Sequence, residues 1–250
     1  MTTLALERPI DLTVNIETAG TVVEGDWTIP LHPHGVILVI NGPGSSRLGR
    51  RNREVAQQMY DKGFATLLVD LLTVDEERED ALTGALRLDV ELLAERVKAA
   101  THWVKEVSEL RDLPRGYLAS GVGSAAALVA AAREPDLVKA IVSRGGRPDL
   151  AGVSLHNVTT PTLLIVGGSD PSVCQLNRWA LRRLKGEKEL AIIPGANHLF
   201  EEAGTLEAMC KLASRWFDDH MSPLGRSGQR HHLFGRPWTP VLSTTERAGG

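Results

Sequence analysis

The sequence predicts an α/β fold, a mostly parallel and doubly wound sheet of about eight strands with an antiparallel edge at its N-terminal side. Three observations support this prediction. Short, continuously apolar runs are typical of strands that are buried on both faces. These runs alternate along the chain with amphipathic helical patterns, which implies right-handed crossovers between parallel strands. Two stretches near the start instead alternate apolar and polar residues, as a hairpin at a sheet edge does.

The predicted elements are justified in chain order by their periodicity. Alternation over residues 11–17 and 20–30 predicts the hairpin, and the acidic stretch 73–80 is interpreted as a solvated loop. Apolar runs predict further strands at 35–42, 64–72, 115–120, 138–146, 161–168 and 189–195. Helices are predicted at 50–62, 86–107, 123–133, 175–186 and 204–219. The helix at 86–107 has the clearest pattern, because its apolar residues recur every three or four positions and so share one face.

Bulk composition favours a soluble globular protein. The chain has 250 residues, 42% of them hydrophobic, and a net charge of −3, with no basic excess that would favour nucleic acid. We assign residues 1–221 to one domain and residues 222–250, rich in glycine, proline and serine, to a disordered tail. Without a signal peptide, a membrane span or a metal-ligand motif, we expect a cytoplasmic protein that needs no cofactor, acts on a small molecule and has no membrane partner. Its oligomeric state is left open.

Chemistry-bearing residues follow the predicted strands. Ligands of open parallel sheets bind outside the carboxyl ends of the strands, so residues that follow each apolar run are the candidates. They are Asn41 with the loop Gly42–Gly44, Asp70, the turn 119–123, Arg144 with Arg147, Asp170, and His198. The two arginines could bind a carboxylate or phosphate, although an ion pair with Asp149 is the simpler interpretation. We expect all six segments to meet at one crevice.

Asp170 and His198 form the most informative pair. Asp170 follows one late strand and His198 lies in the loop after the next, an order typical of an acid that orients a catalytic histidine. The carboxylate would hold one imidazole nitrogen and leave the other basic. Either residue alone has an ordinary explanation, as a helix cap for Asp170 or a loop residue for His198.

Four segments carry a family resemblance: NGPGSSRLGRRNREVA, SRGGRPDLAG, PTLLIVGGSD and PGANHLFEEAGTLE. Through them the chain resembles bacterial α/β-hydrolases of the dienelactone-hydrolase-like group over about residues 10–220. The resemblance implies an α/β-hydrolase fold, with Asp170 and His198 in the GG-x-D and PGA-x-H motifs as acid and base. It also implies that the backbone N–H groups of Val122 and of residue 43 would bind an oxyanion.

Two positions depart from the pattern of that group. The nucleophile position in Ala-Ser-Gly-Val-Gly falls on Gly121, which cannot form an acyl-enzyme. Residue 43 is Pro43, which has no N–H to donate. Asn41 replaces the usual histidine of the loop, and its amide could supply a different donor or cap the loop backbone. Ser120 lies one residue early on the strand and is expected to point to the wrong face.

These features favour a cofactor-free enzyme that uses His198 and Asp170 on a small ester, lactone or activated carbonyl compound. The reaction would need no covalent serine intermediate and could be hydrolysis, elimination, ring opening or cyclisation. Two alternatives stay open. One is a non-catalytic binding or accessory protein that kept the fold. The other is a serine esterase that uses Ser120, or a nucleophile-less variant with an engineered glycine at position 121.

Overall fold

The computed structural model describes residues 10–18, 20–107 and 110–221, which form a single eight-stranded sheet. The strands are β1 (Ile10–Thr18), β2 (Thr21–Ile29), β3 (Val36–Ile40), β4 (Ala65–Val69), β5 (Arg115–Ser120), β6 (Ala140–Arg144), β7 (Thr162–Gly167) and β8 (Lys188–Ile193). Their order across the sheet is β1-β2-β4-β3-β5-β6-β7-β8. β2 pairs antiparallel with β1 and β4, and the other neighbours are parallel. The predicted fold class is therefore confirmed.

Helices cover both faces of this sheet. They are α1 (Arg50–Tyr60), α2 (Val74–Thr83), α3 (Val90–Glu106), α4 (Gly123–Arg133), α5 (Pro171–Leu181) and α6 (Thr205–Met221), with a 3-10 segment at Pro148–Asn157 that the sequence did not predict. α1 and α6 pack on one face, and α3, α4, α5 and the 3-10 segment pack on the other. Successive residues of β3 are buried against opposite layers, which explains why the strand is apolar throughout.

The predicted helix at 86–107 is confirmed, but it begins later than its apolar pattern suggests. α3 starts at Val90 because the side chain of Asp89 accepts a hydrogen bond from the backbone N–H of Leu92 (3.0 Å). A capping aspartate satisfies one of the free N–H groups of a first turn. The apolar residue Leu86 lies before this cap and packs on the core from a turn.

The acidic stretch 73–80 is a helix for most of its length, so its interpretation as a loop was wrong. Thr73 and Glu76 form a capping box at the start of α2, in which each side chain accepts the backbone N–H of the other. Glu76 also pairs with the guanidinium of Arg96, which is 4% exposed. Asp80 is buried and accepts two backbone N–H groups from the turn after α2. These tertiary partners make the acidic stretch part of the fold.

Two predictions concern the ends of the chain and its relation to membranes. The tail at 222–250 lies outside the described residues, so its expected disorder stays a prediction. Among the helices that the structure describes, none combines the length and the apolar composition needed to cross a bilayer.

Candidate active site

The candidate residues lie beyond the carboxyl ends of the parallel strands and fall into three groups. In the first group His198 contacts Asp170. In the second, Asn41, Ser120 and Arg144 form a polar row in which Asn41 and Arg144 are buried. In the third, Asp70 is held by Arg47, an arginine that the sequence analysis missed. The side chain of Arg147 joins none of these groups and binds Asp149 through two hydrogen bonds of 2.9 and 2.8 Å.

His198 and Asp170 are hydrogen-bonded. Nδ1 of His198 lies 2.8 Å from Oδ2 of Asp170, and the same oxygen accepts the backbone N–H of His198. Asp170 occupies the N-cap position of α5, yet its side chain accepts no capping hydrogen bond. The carboxylate therefore orients the histidine rather than the helix. Nε2 of His198 has no hydrogen-bond partner among the described residues, and the side chain is 48% exposed.

The loop that carries His198 sits directly on two glycines. Gly145 has φ +52°, and a Cβ there would overlap the carbonyl oxygen of His198. At Gly167 a Cβ would overlap the carbonyl oxygens of Ala196 and Asn197. Only glycine permits so close an approach of backbone to backbone. The ends of β6 and β7 thereby fix the position of the histidine loop.

The turn between β5 and α4, which we call the elbow (residues 119–123), has a glycine at its apex. The apex lies at the carboxyl ends of the parallel strands. Gly121 has φ +53°, and a Cβ built there would meet no atom within 4 Å. Its carbonyl oxygen accepts the backbone N–H of Arg147 (2.9 Å). A Cβ at Gly123 would lie 3.0 Å from the carbonyl carbon of Asn41, so the elbow packs tightly on the residue after β3. The apex is open and presents no side chain.

Three hydroxyl or thiol groups, of Ser120, Ser124 and Cys174, bind protein atoms. Ser120 Oγ donates to Oδ1 of Asn41 (3.0 Å), and Ser124 Oγ accepts from Ser143 in the core (2.9 Å). Cys174 Sγ lies 3.3 Å from the carbonyl oxygen of Gly167, and burial raises the pKa of its thiol. None of the three forms a hydrogen bond with His198 in the described part of the chain.

The loop after β3 offers few backbone donors to a substrate oxygen. Pro43 has no N–H, and the N–H of Gly44 donates to the carboxylate of Glu77 on α2 (3.1 and 3.2 Å). The N–H of Val122 makes no hydrogen bond with any residue that the structure describes, and a Cβ at Gly42 would lie 3.1 Å from its nitrogen. Val122 therefore has a spare donor at this junction. Glu77 was missed because its segment was interpreted as a loop.

Arg47 anchors the other end of the same loop. Its guanidinium binds Glu24 (2.6 Å), Asp26 (3.2 Å) and Asp70 (3.0 Å), and its backbone N–H donates to Asp70 (2.7 Å). Burial raises the pKa of the Asp70 carboxyl, while the contacts with Arg47 oppose the rise. Asp70, predicted as a possible substrate-binding residue, thus has a structural partner on each carboxylate oxygen.

Arg144 is buried under the elbow. Its Nη2 donates to Oδ1 of Asn52 on α1 (2.8 Å) and to Oδ1 of Asn41 (3.3 Å). The side chain is not directed at solvent, because the residue is only 4% exposed. Asn52 was not identified from the sequence, since nothing in the pattern of α1 marks it as the partner of a residue 92 positions away.

The fold and the site together define an α/β-hydrolase: an eight-stranded, mostly parallel sheet with an elbow after β5, an acid after β7 and a histidine after β8. The chain belongs to the dienelactone hydrolase family, whose sequence profile matches residues 22–216. The resemblance identified from the motifs is thus confirmed. Membership of this family supports an enzyme of the hydrolase type.

The chain is also similar to individual proteins and solved structures. A crystal structure of dienelactone hydrolase from Anabaena variabilis is 46% identical, has a TM-score of 0.82, and covers 86% of this chain and all of that one. Two Mycobacterium tuberculosis proteins named "Putative phosphoribosyl transferase" are 48% identical over 225 residues, which are 90% of this chain and 50% of theirs. The chain therefore spans about half the length of these curated relatives. A "Probable 2-oxo-3-(5-oxofuran-2-ylidene)propanoate lactonase" from Bradyrhizobium sp. is 29% identical over 60% of this chain and 67% of that protein.

Proposed function

We propose that the protein is an enzyme that acts on a small ester, lactone or activated carbonyl compound, with His198 as base and without a covalent serine intermediate. One observation carries the proposal: His198 is oriented by Asp170 at 2.8 Å, beside an elbow whose apex is Gly121. In this proposal His198 is the base at a site whose nucleophile position, residue 121, is a glycine and has no side chain.

The contacts of the neighbouring serine support direct action of the histidine. The Ser120 hydroxyl donates a hydrogen bond to Oδ1 of Asn41, and Ser120 lies on the face of the sheet that carries Asn41 and Arg144. Its use as a nucleophile would require that hydrogen bond to break and the strand end to turn. Pro43 further weakens acyl transfer, because loss of one oxyanion donor typically costs about 2.7–4 kcal/mol of transition-state stabilisation.

The proposed chemistry starts at Nε2 of His198. Asp170 accepts a hydrogen bond from the N–H at Nδ1, so that Nε2 holds the lone pair and can remove a proton from a water molecule or from the substrate. Attack by water would hydrolyse an ester or open a lactone in two steps. Water adds to the carbonyl carbon, and the tetrahedral adduct then collapses and expels the leaving oxygen. Proton abstraction from carbon would instead give elimination, ring opening or cyclisation. The lactonase name of the Bradyrhizobium relative supports a lactone as substrate.

Phosphoribosyl transfer, which appears in the names of the mycobacterial relatives, is not what we propose for this domain. Those proteins are about twice as long as the matched region, and the contacts described above support carbonyl chemistry. Two alternatives remain to be tested against our proposal. They are a binding protein without turnover and a serine esterase that uses Ser120.

The proposal is tested with a panel of small lactones and activated esters. We expect His198→Ala to abolish turnover, Asp170→Asn to reduce it by about 10⁴-fold through the wrong imidazole tautomer, and Ser120→Ala to change it little. His102→Ala is the matched control, because His102 also pairs with a carboxylate (Glu134, 3.0 Å) but lies on α3. The control should keep the activity of the wild type.

A fluorophosphonate probe for reactive serines separates the alternatives. The wild type should not be labelled. Labelling that Ser120→Ala abolishes would establish a serine esterase and contradict the proposal. Ligand binding without any turnover, unchanged in His198→Ala, would establish a binding protein instead.

A further inference from the structure

A row of polar side chains lies under the elbow, on the face of the sheet that α1 and α6 cover. Asn41 directly follows β3, while Ser120 and Arg144 are the last residues of β5 and β6 and are paired in register. All but the half-buried Ser120 are buried. Asn52 of α1 completes the row through Arg144. The proposed mechanism uses none of these contacts directly, although Asn41 packs against the elbow.

The orientation of the Asn41 amide is fixed by its neighbours. Its Oδ1 accepts from Ser120 Oγ (3.0 Å) and from Arg144 Nη2 (3.3 Å), and a guanidinium can only donate. The amide oxygen must therefore face Arg144. The other end, Nδ2, is buried and has no partner among the described residues. Buried donors are nearly always paired, so an unpaired one at an active site points to a missing acceptor.

Arg144 differs from the other buried arginines in its partners. Arg47 binds three carboxylates and Arg96 binds one, whereas Arg144 meets only the neutral amide oxygens of Asn41 and Asn52 within the part of the chain that the structure describes. Burial lowers the pKa of Arg144 to about 10. A positive charge without a counter-charge polarises the Asn41 amide and makes Nδ2 a stronger donor.

The amide also lies where a donor is lacking. Asn41 directly precedes Gly42 and Pro43, and its carbonyl carbon would lie 3.0 Å from a Cβ on Gly123 of the elbow. Gly42 in turn lies against the backbone nitrogen of Val122. The asparagine and the spare N–H of Val122 therefore border the same junction of loop and elbow.

We propose that Nδ2 of Asn41 binds the carbonyl oxygen of the substrate together with the N–H of Val122, in place of the N–H that Pro43 lacks, and that Arg144 is the positioning residue that holds it. The inference rests on the proposed function. In hydrolysis, Nε2 of His198 takes a proton from water, the water oxygen bonds to the carbonyl carbon, and the π electron pair moves to the oxygen bound by Asn41. Collapse returns that pair and expels the leaving oxygen, which takes the proton from His198.

Asn41→Asp provides the sharpest test, because the side chains of asparagine and aspartate have the same shape. The carboxylate would form an ion pair with Arg144 but would have no donor and would repel an oxyanion. We expect the melting temperature to stay equal or rise while kcat for an activated ester falls by about 100- to 1,000-fold, with little change in KM. A purely structural asparagine predicts that activity follows stability. Retention of wild-type kcat in Asn41→Asp would overturn the inference.

Further variants separate this inference from the proposed function. Arg144→Met should lower kcat less than Asn41→Asp and leave the shape of the pH profile unchanged. Arg144→Lys should recover part of the loss. Thr66→Val removes another buried, unpartnered polar group, on β4, and should leave kcat unchanged. If His198→Ala keeps turnover, the proposed function fails. If Asn41→Asp keeps the turnover of the wild type while His198→Ala abolishes it, the inference fails and the proposed function stands.

A binding measurement keeps the inference testable without turnover. An aliphatic trifluoromethyl ketone, whose hydrate resembles the tetrahedral adduct, is titrated into ¹⁵N-labelled wild type and Asn41→Asp. We expect the side-chain amide signals of Asn41 and the backbone amide signal of Val122 to move together, and the variant to bind at least tenfold more weakly. An unmoved Asn41 signal, equal affinities, or no binding to the wild type would each overturn the assignment.

Discussion

Replacing Glu76 by glutamine should destabilise the fold at the start of α2. The carboxylate of Glu76 binds both terminal nitrogens of Arg96 and completes the capping box with Thr73. Glutamine keeps the shape and can still accept the N–H of Thr73. It removes the charge that faces Arg96, which is only 5% exposed along its side chain. A buried guanidinium is then left without a counter-charge.

The magnitude follows from the titration of Glu76. Its hydrogen bonds with Arg96 lower the pKa of the carboxyl from an ordinary 4.5 to about 2, which corresponds to about 3 kcal/mol at neutral pH. A quarter of the Glu76 side chain is exposed, so solvent screening reduces the expected loss to about 2 kcal/mol. Because the folded state lowers this pKa, the contribution is present above pH 4.5 and is lost as the pH falls towards 2.

The assay is urea unfolding of the wild type and Glu76→Gln from about pH 7 to about pH 3. The difference in unfolding free energy should be largest at neutral pH and should shrink below pH 4.5. Glu79→Gln is the matched control, since Glu79 is exposed on the same helix, and it should change stability little. A neutral-pH difference of less than about 0.5 kcal/mol, or one that does not shrink in acid, would refute the reasoning.

Three further predictions follow from the backbone of the site and from the chain end. Gly145→Ala should displace the His198 loop, lower turnover at least tenfold and cost about 2 kcal/mol or more in unfolding free energy; normal activity would show that the loop can move aside. Gly121→Ser should fold, because its Cβ position is open, and should not improve the native reaction, although weak esterase activity with serine labelling is expected; a faster native reaction would contradict the role we give the glycine. Truncation after Met221 should leave the melting temperature nearly unchanged in a thermal scan, and a large drop would show that the tail packs on the domain.

The central strands were predictable because burial on both faces demands apolar side chains at every position. The strand at 115–120 and the helix at 123–133 agree with β5 and α4 residue for residue. α2 was missed because a run of acidic residues is usually a solvated surface. The signal that would have identified it is local: Thr73 and Glu76 have the spacing of a capping box.

Contacts within the site were predictable only where chain order encodes them. Asp170 and His198 follow consecutive strands, so their meeting could be inferred from the sequence. The partners of Arg47 and Arg144 could not, because they lie between 21 and 103 positions away and depend on how the loop after β3 folds back on the sheet. The roles of the candidate residues in catalysis stay predictions.

The interactions of Arg47 determine which other parts of the chain the loop after β3 depends on. Two of its three carboxylates belong to β2, in the antiparallel hairpin, so the loop beside the elbow is fastened to a part of the sheet that contributes no catalytic group. A shortened protein that began at β3 would keep His198 and Asp170. It would also leave a nearly buried arginine with a single counter-charge, and the loop around Pro43 would loosen. The hairpin is therefore needed to hold the loop after β3 in this arrangement, and a loop exchanged for that of a relative would need matching carboxylates on β2.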